Sequence, residues 1–78
     1  MHIEQVVRGR RLTHGTGRRI RMLAGLSMRE LAEELGVNAP TLDRWERGKS
    51  NPRPIQAVRW LEAIERLRRA LDDELVVG

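Results

Sequence analysis

The sequence predicts an all-α bundle of about four helices, the last of which is long. Apolar residues recur every three or four positions in several short segments, as they do along one face of a helix. Gly and Pro separate these segments at short intervals, whereas from Ile55 onward neither residue occurs before Gly78. Seventy-eight residues suffice for one small domain with a thin core.

The chain divides into an arm, a folded domain and an extension. Residues 1–15 are predicted to form a basic N-terminal arm, because glycines interrupt the only apolar run there. Residues 16–65 are interpreted as the folded domain, and residues 66–78 as a C-terminal helix extension that could contact a second copy or another protein. A first helix is predicted after Thr16, whose hydroxyl can cap it, and Gly25 is expected to stop it.

Two short helices follow, each with its own start and stop signals. Ser27 is a good N-cap and Glu30 stands three residues later, which is the spacing of a capping box. Gly36 ends this helix, and Asn38 is expected to cap the next one. Pro40 then falls in the first turn, where its missing N–H costs little. The residues predicted to face the core are Leu31, Ala32, Leu35, Leu42 and Trp45.

The fourth helix is predicted to start at Ile55 and to run for about five turns. Asp72–Glu74 lie at the end where the helix dipole disfavours negative charge, so the last turn is expected to fray. A compact domain is largely complete by about Leu61, which makes the apolar stripe near and beyond it a candidate dimer or partner surface. The stripe could also fold over the first helix or extend outward. The residues assigned to this surface are Trp60, Ile64, Leu67, Leu71 and Leu75.

The charge of the chain favours a nucleic-acid partner. The chain contains 15 basic and 11 acidic residues, which gives a net charge of +4, and all the basic residues except Lys49 are Arg. Segments 1–21 and 44–59 are strongly positive, and segment 22–43 between them is negative. Two separate positive blocks indicate a charged face, and Arg suits the planar, bidentate geometry of phosphate and guanine. An anionic membrane surface is the alternative, because basic patches serve both.

Several other functions have no support in the sequence. Cys is absent, which excludes disulfides and thiolate metal sites, and His2 and His14 are too isolated to form a metal site. No apolar run approaches the roughly 20 residues of a membrane span, and none resembles a signal peptide. We therefore expect a cytoplasmic protein. Because no nucleophile–base pair or phosphate-loop motif is present, we expect neither enzymatic activity nor a cofactor.

A helix, a short turn and a second helix occupy residues 25–52, GLSMRELAEELGVNAPTLDRWERGKSNP. In such an arrangement the second helix can enter the DNA major groove. This stretch resembles the helix-turn-helix of phage Cro and repressor proteins, the XRE family, and the resemblance extends over roughly residues 16–65. Ala32 matches the small residue where the two helices touch, and Gly36 matches the turn glycine. The resemblance implies a compact, lambda-repressor-like helix-turn-helix bundle.

The resemblance also implies roles for individual residues in binding double-stranded DNA. The residues that match positions facing base edges are Ala39, Pro40, Thr41 and Arg44. The residues assigned to DNA phosphates are Ser27, Arg29, Asn38, Arg47, Lys49 and Arg53. Arg21 and Glu46 match an ion pair that ties the first helix to the third; the alternative is two unrelated surface charges. The arginines of the arm could reach the minor groove or the adjacent backbone, or could only add general attraction; they are Arg8, Arg10 and Arg11.

The base-reading set is chemically sparse. Ala39 and Pro40 can offer only apolar contact, for example to a thymine methyl group. Thr41 can make polar or apolar contact, and Arg44 can donate two hydrogen bonds to guanine, worth about 1–3 kcal/mol of discrimination. Asp43 would repel phosphate if it faced DNA, and it could accept a hydrogen bond from cytosine N4. Specificity is therefore expected to depend on phosphates, DNA shape and a second half-site as well.

The function that the resemblance implies is a sequence-specific, double-stranded DNA-binding transcriptional regulator. We expect a small bacterial or phage repressor that places helix 38–47 in the major groove and acts as a homodimer on a palindromic site. It would act at the bacterial nucleoid, or in the host cytoplasm if a phage encodes it. The alternative is an antitoxin that represses its own operon and holds a toxin on residues 64–78. A third interpretation is a DNA-bending accessory to recombination.

Overall fold

The computed structural model describes residue 3 and residues 15–77, with side chains described as far as residue 74, and four α-helices lie within residues 15–77. No strand occurs within the range, and the predicted all-α class is confirmed. The helices are α1, Thr16–Leu23; α2, Met28–Leu35; α3, Ala39–Glu46; and α4, Pro54–Val77. α4 packs against α1 and α2, and α2 packs against α3.

The core lies where the inner faces of the four helices meet. Trp45 of α3 and Trp60 of α4 are at its centre, with ring centroids 5.6 Å apart and planes tilted by 40°. That separation is within the range of favourable aromatic pairs. The residues that form the core are Ile20, Leu31, Ala32, Leu35, Leu42, Trp45, Trp60, Leu61, Ala63 and Ile64.

The structure corrects part of the predicted dimer surface. Trp60 and Ile64 are 0 % and 1 % exposed, so they cannot line a surface. They are buried because a domain of this size needs their volume to fill the space between its helices. Leu67 and Leu71 are half-buried at the edge of the core. The side chain of Leu75 lies outside the described residues.

The start of α1 also differs from the prediction. Gly15 takes the N-cap position with φ 101°, and no side chain caps the helix. The predicted capping by Thr16, which is itself the first helical residue, is therefore wrong. Gly enters this left-handed conformation without the steric penalty that Thr would meet, which explains the choice of cap. At the other end Gly25 follows the helix with φ 73°, and the Leu26 N–H closes the last turn, as expected of a C-terminal glycine.

Local caps fix the start of α2 and both ends of the turn between α2 and α3. At the start of α2, the Ser27 hydroxyl accepts from the Glu30 N–H at 3.0 Å and the Glu30 carboxylate accepts from the Ser27 N–H at 2.9 Å. Gly36 ends α2 with φ 71°. Asn38 Oδ1 then accepts from the Thr41 N–H at 2.8 Å, so that α3 begins immediately after the turn. These predicted caps are all present.

α4 is longer than the sequence indicated. It begins at Pro54, and its 24 residues exceed the roughly five turns expected. Proline is favoured at this first position, and the Arg53 N–H that precedes it donates to Gln56 Oε1 at 3.2 Å. The helix continues through Asp72–Glu74 to Val77, so the turn predicted to fray is helical.

Arg21 and Glu46 form a buried ion pair between α1 and α3. Arg21 Nε donates to Glu46 Oε2 at 2.8 Å, and Arg21 Nη2 donates to Glu46 Oε1 at 3.0 Å. A third hydrogen bond, 3.0 Å long, joins Arg21 Nη1 to the Leu26 carbonyl in the α1–α2 turn. Because both residues are buried, neither is an independent surface charge. The pair attaches the C-terminal end of α3 to α1.

Breaking this ion pair from one side is expected to be strongly destabilising. Arg21→Met should lower the free energy of unfolding by about 3–5 kcal/mol, because the Glu46 carboxylate is then buried without its partner. The double variant Arg21→Met/Glu46→Leu should recover much of that loss, because no charge remains buried. Urea unfolding followed by tryptophan fluorescence measures both values. A double variant no more stable than Arg21→Met would contradict the assignment.

The capping box predicts how stability depends on pH. The pKa of the Glu30 carboxyl is lowered, mainly by the hydrogen bond from the Ser27 backbone N–H and also by the Ser27 hydroxyl. A lowered pKa in the folded state means that the ionised carboxylate stabilises the fold at pH values above the pKa that the group has in the unfolded chain. This contribution is lost as the pH falls through the lower, folded pKa.

Glu30→Gln is therefore expected to be less stable than the wild type at neutral pH. The difference should shrink as the pH falls below the ordinary carboxyl range, because the wild-type side chain becomes neutral as well. Urea midpoints measured at a series of pH values test this expectation. A difference that stays constant from about pH 7 to about pH 2 would show that the ionised carboxylate does not contribute.

Candidate nucleic-acid interface

One side of α3 is turned toward the core and the other toward solvent. Leu42, Trp45 and Glu46 are buried on the inner side. Because an α-helix repeats every 3.6 residues, a second set of side chains remains accessible on the opposite side. We call this set the outer face of α3; it consists of Pro40, Asp43, Arg44 and the C-cap residue Arg47. Two arginines against one aspartate make the outer face positively charged.

The four predicted base-reading residues are not equally accessible. Pro40 and Arg44 are exposed. Thr41 is half-buried beside the outer face, where its Oγ1 lies 3.3 Å from Arg44 Nη2 and accepts a hydrogen bond from it. Ala39 is also half-buried and packs against the core, so only part of its methyl group is available. The structure thus brings Pro40, Thr41 and Arg44 together and leaves Ala39 at their edge.

An ion pair on the outer face was not predicted from the sequence. Arg47 Nε donates to Asp43 Oδ1 at 3.0 Å, and the two side chains are 53 % and 41 % exposed. The spacing of four residues, which places side chains on neighbouring turns of a helix, is the signal that could have identified it. Solvent screens such a pair, so its contribution to stability is small. The pair matters for binding because the Nε–H donor of Arg47 is already hydrogen-bonded to Asp43, which leaves only its remaining N–H groups for a ligand.

The predicted phosphate-binding residues lie on α2, at the caps of α3 and in the connector that leads to α4. Lys49 and Arg53 are exposed in the connector that leads to α4. The Lys49 N–H donates to the Arg44 carbonyl at 2.9 Å, which attaches the start of that connector to the last turn of α3. Arg29 is exposed on α2, and its Nε lies 3.5 Å from Glu33 Oε1, one turn further along the helix. Ser27 and Asn38 are the N-caps of α2 and α3.

The predicted arm is the one part of the candidate interface without a described position. Its arginines, Arg8, Arg10 and Arg11, lie outside the described residues.

Among residues 15–77, no group of three or more His, Asp or Glu side chains is placed to hold a metal ion. None of the helices in that range is long and apolar enough to cross a membrane.

Comparison with known proteins agrees with this geometry. A family model described as helix-turn-helix matches residues 18–72, more than half of the chain, and the match includes α2, the turn and α3. No curated protein and no solved structure gives a significant match. The chain therefore belongs to the helix-turn-helix family of the Cro and XRE type, whose members are DNA-binding transcription regulators rather than enzymes.

Proposed function

We propose that this chain is a small bacterial or phage repressor that places α3 in the major groove of double-stranded DNA. The observation that carries the proposal is the outer face of α3, which presents Arg44 and Arg47 on a helix fixed to the core. An α-helix fits the major groove of B-DNA, which is about 12 Å wide. Residues 38–47, from the N-cap to the C-cap, would be the segment that enters it.

Arg44 is proposed to recognise a guanine directly through hydrogen bonds to its base edge. Its guanidinium carries five N–H donors, and the hydrogen bond to Thr41 engages one of them at 3.3 Å. The remaining donors suffice for the two acceptors, O6 and N7, that guanine exposes in the major groove. Thr41 would orient Arg44 and offer its methyl group to a thymine, and Pro40 would add only apolar contact.

The phosphate contacts are assigned to residues near the N-termini of α2 and α3, at the C-cap of α3 and in the connector that leads to α4. They are Ser27, Arg29, Asn38, Arg47, Lys49 and Arg53. Asn38 Oδ1 is engaged in the cap of α3, so its phosphate contact would come from the amide NH₂ group, which donates. The N-termini of both helices also carry partial positive charge, which favours a phosphate nearby. These contacts would set the position of α3 along the groove without reading sequence.

Arg44→Ala is expected to weaken binding to a selected operator by about tenfold or more and to change binding to random duplex much less. The physical reason is that the lost hydrogen bonds depend on one base. Fluorescence anisotropy on an operator obtained from a duplex library measures both affinities. Arg59→Ala, which removes the same charge from an exposed position of α4, is the matched control.

Two results would contradict this assignment at different levels. Equal losses of Arg44→Ala on operator and random duplex would show that Arg44 contacts only the backbone. Failure of the wild-type chain to bind any duplex at low salt would refute DNA binding itself, since phosphate contacts are strongest there.

A groove between α2 and α4 is assigned to a second copy of the chain. Its accessible apolar lining comes from the half-buried Leu26 and Leu67, and the buried side chains of Leu31 and Ala63 lie at its base. Glu30 and Glu34 make its α2 side acidic, and the α4 side is basic through Arg66, whose Nη2 lies 3.9 Å from Glu34. A two-fold axis would set the basic side of one copy against the acidic side of the other. Leu71 continues the apolar surface along α4.

Leu71→Gln is therefore expected to shift a dimer toward monomer and to shorten the footprint from two half-sites, about 34 Å apart, to one. Asp72→Gln, at an exposed position of the same helix, should do neither. Sedimentation equilibrium and footprinting measure the two effects. A wild-type chain that stays monomeric and co-purifies with a small protein would contradict the homodimer and favour the antitoxin alternative, with a toxin in the same groove.

A further inference from the structure

A carboxylate lies within the surface proposed to meet DNA. Asp43 belongs to the outer face of α3, next to Arg44 in the chain and one turn before Arg47, and it is the only acidic residue of that face. The other carboxylate of α3, Glu46, is turned inward to Arg21. Asp43 is half-exposed, so its carboxylate is available to a ligand that covers the outer face.

The chemistry of DNA makes such a carboxylate selective. Phosphate oxygens, guanine O6 and N7, and thymine O4 are all acceptors, and a carboxylate pressed against them gains no hydrogen bond. Removing it from water without a donor is unfavourable. In the major groove only cytosine N4 and adenine N6 donate, and cytosine N4 is the usual partner of an acidic side chain.

The ion pair with Arg47 positions the Asp43 carboxylate to accept a hydrogen bond from a base. The bond from Arg47 Nε to Asp43 Oδ1, 3.0 Å long, holds the carboxylate on the outer face. An ionised carboxylate can accept about four hydrogen bonds, so Arg47 leaves capacity for a base. Arg47 also supplies a compensating charge, which lowers the cost of bringing a carboxylate close to the phosphates.

We infer that Asp43 is a specificity-determining residue that accepts a hydrogen bond from cytosine N4 in the major groove, with Arg47 as its positioning residue. The inference rests on the proposed entry of α3 into that groove. Arg44 and Asp43 would then read different bases, one by donating and the other by accepting. Asp43 would also lower affinity for random duplex, because a guanine or thymine opposite it presents only acceptors.

The test compares base preferences of the wild type and of Asp43→Asn on a selected operator in which each base pair is replaced in turn. The wild type should show one position in each half-site where loss of cytosine weakens binding by about tenfold. Asp43→Asn should shift the preference at that position toward adenine, because an amide can pair with adenine N6 and N7. Such a gained preference requires a folded variant, so it cannot result from unfolding.

Two further variants separate base reading from general charge. Arg47→Gln should weaken the cytosine preference at that position, a change that loss of a phosphate contact alone would not produce. Glu62→Gln, which removes one negative charge at an exposed position of α4, should raise affinity for operator and random duplex by the same factor. Its base preferences should be those of the wild type.

The inference is overturned if Asp43→Asn keeps every base preference and binds operator and random duplex more tightly by one common factor. Asp43 would then act only as a repulsive charge. A wild-type chain that binds no duplex at all is a different outcome, because it overturns the proposed function rather than the role of Asp43 within it.

Discussion

The buried ion pair between Arg21 and Glu46 is the constraint on which the position of α3 depends. Burial of Leu42 and Trp45 sets which side of α3 faces the core, but apolar contacts are non-directional and tolerate some rotation about the helix axis. The ion pair is directional, because two parallel hydrogen bonds require one relative placement of the guanidinium and the carboxylate. With Glu46 held inward, helix periodicity turns Arg44 outward.

Hydrogen bonds within α3 orient both arginines of the outer face. Each of its arginines is held by a residue one turn earlier, Arg44 by Thr41 and Arg47 by Asp43. Side chains that already occupy a defined geometry lose less conformational freedom on binding. The same helix thus uses its two carboxylates in opposite ways. Glu46 stabilises the fold from inside, and Asp43 shapes the charge of the surface.

Most features that depend on neighbouring residues could be predicted from the sequence, although the cap at Thr16 was wrong and the Asp43–Arg47 pair was missed. Contacts between helices that lie far apart in the chain were harder to predict. The capping box of Ser27 and the cap by Asn38 are local and were predicted correctly. The Arg21–Glu46 pair spans 25 residues and was accessible only through resemblance to a family. Trp60 was predicted to lie on a surface because the sequence of α4 does not show which part of its apolar stripe packs against Trp45.

Methylation interference on a selected operator tests the orientation of α3 most directly, because dimethyl sulfate modifies guanine N7 in the major groove and adenine N3 in the minor groove. If the outer face enters the major groove, methylation of the guanine read by Arg44 should block binding of the wild-type chain. The variant Arg44→Ala should be insensitive to methylation at that guanine. Interference confined to adenine N3, or a guanine signal unchanged in Arg44→Ala, would contradict the account.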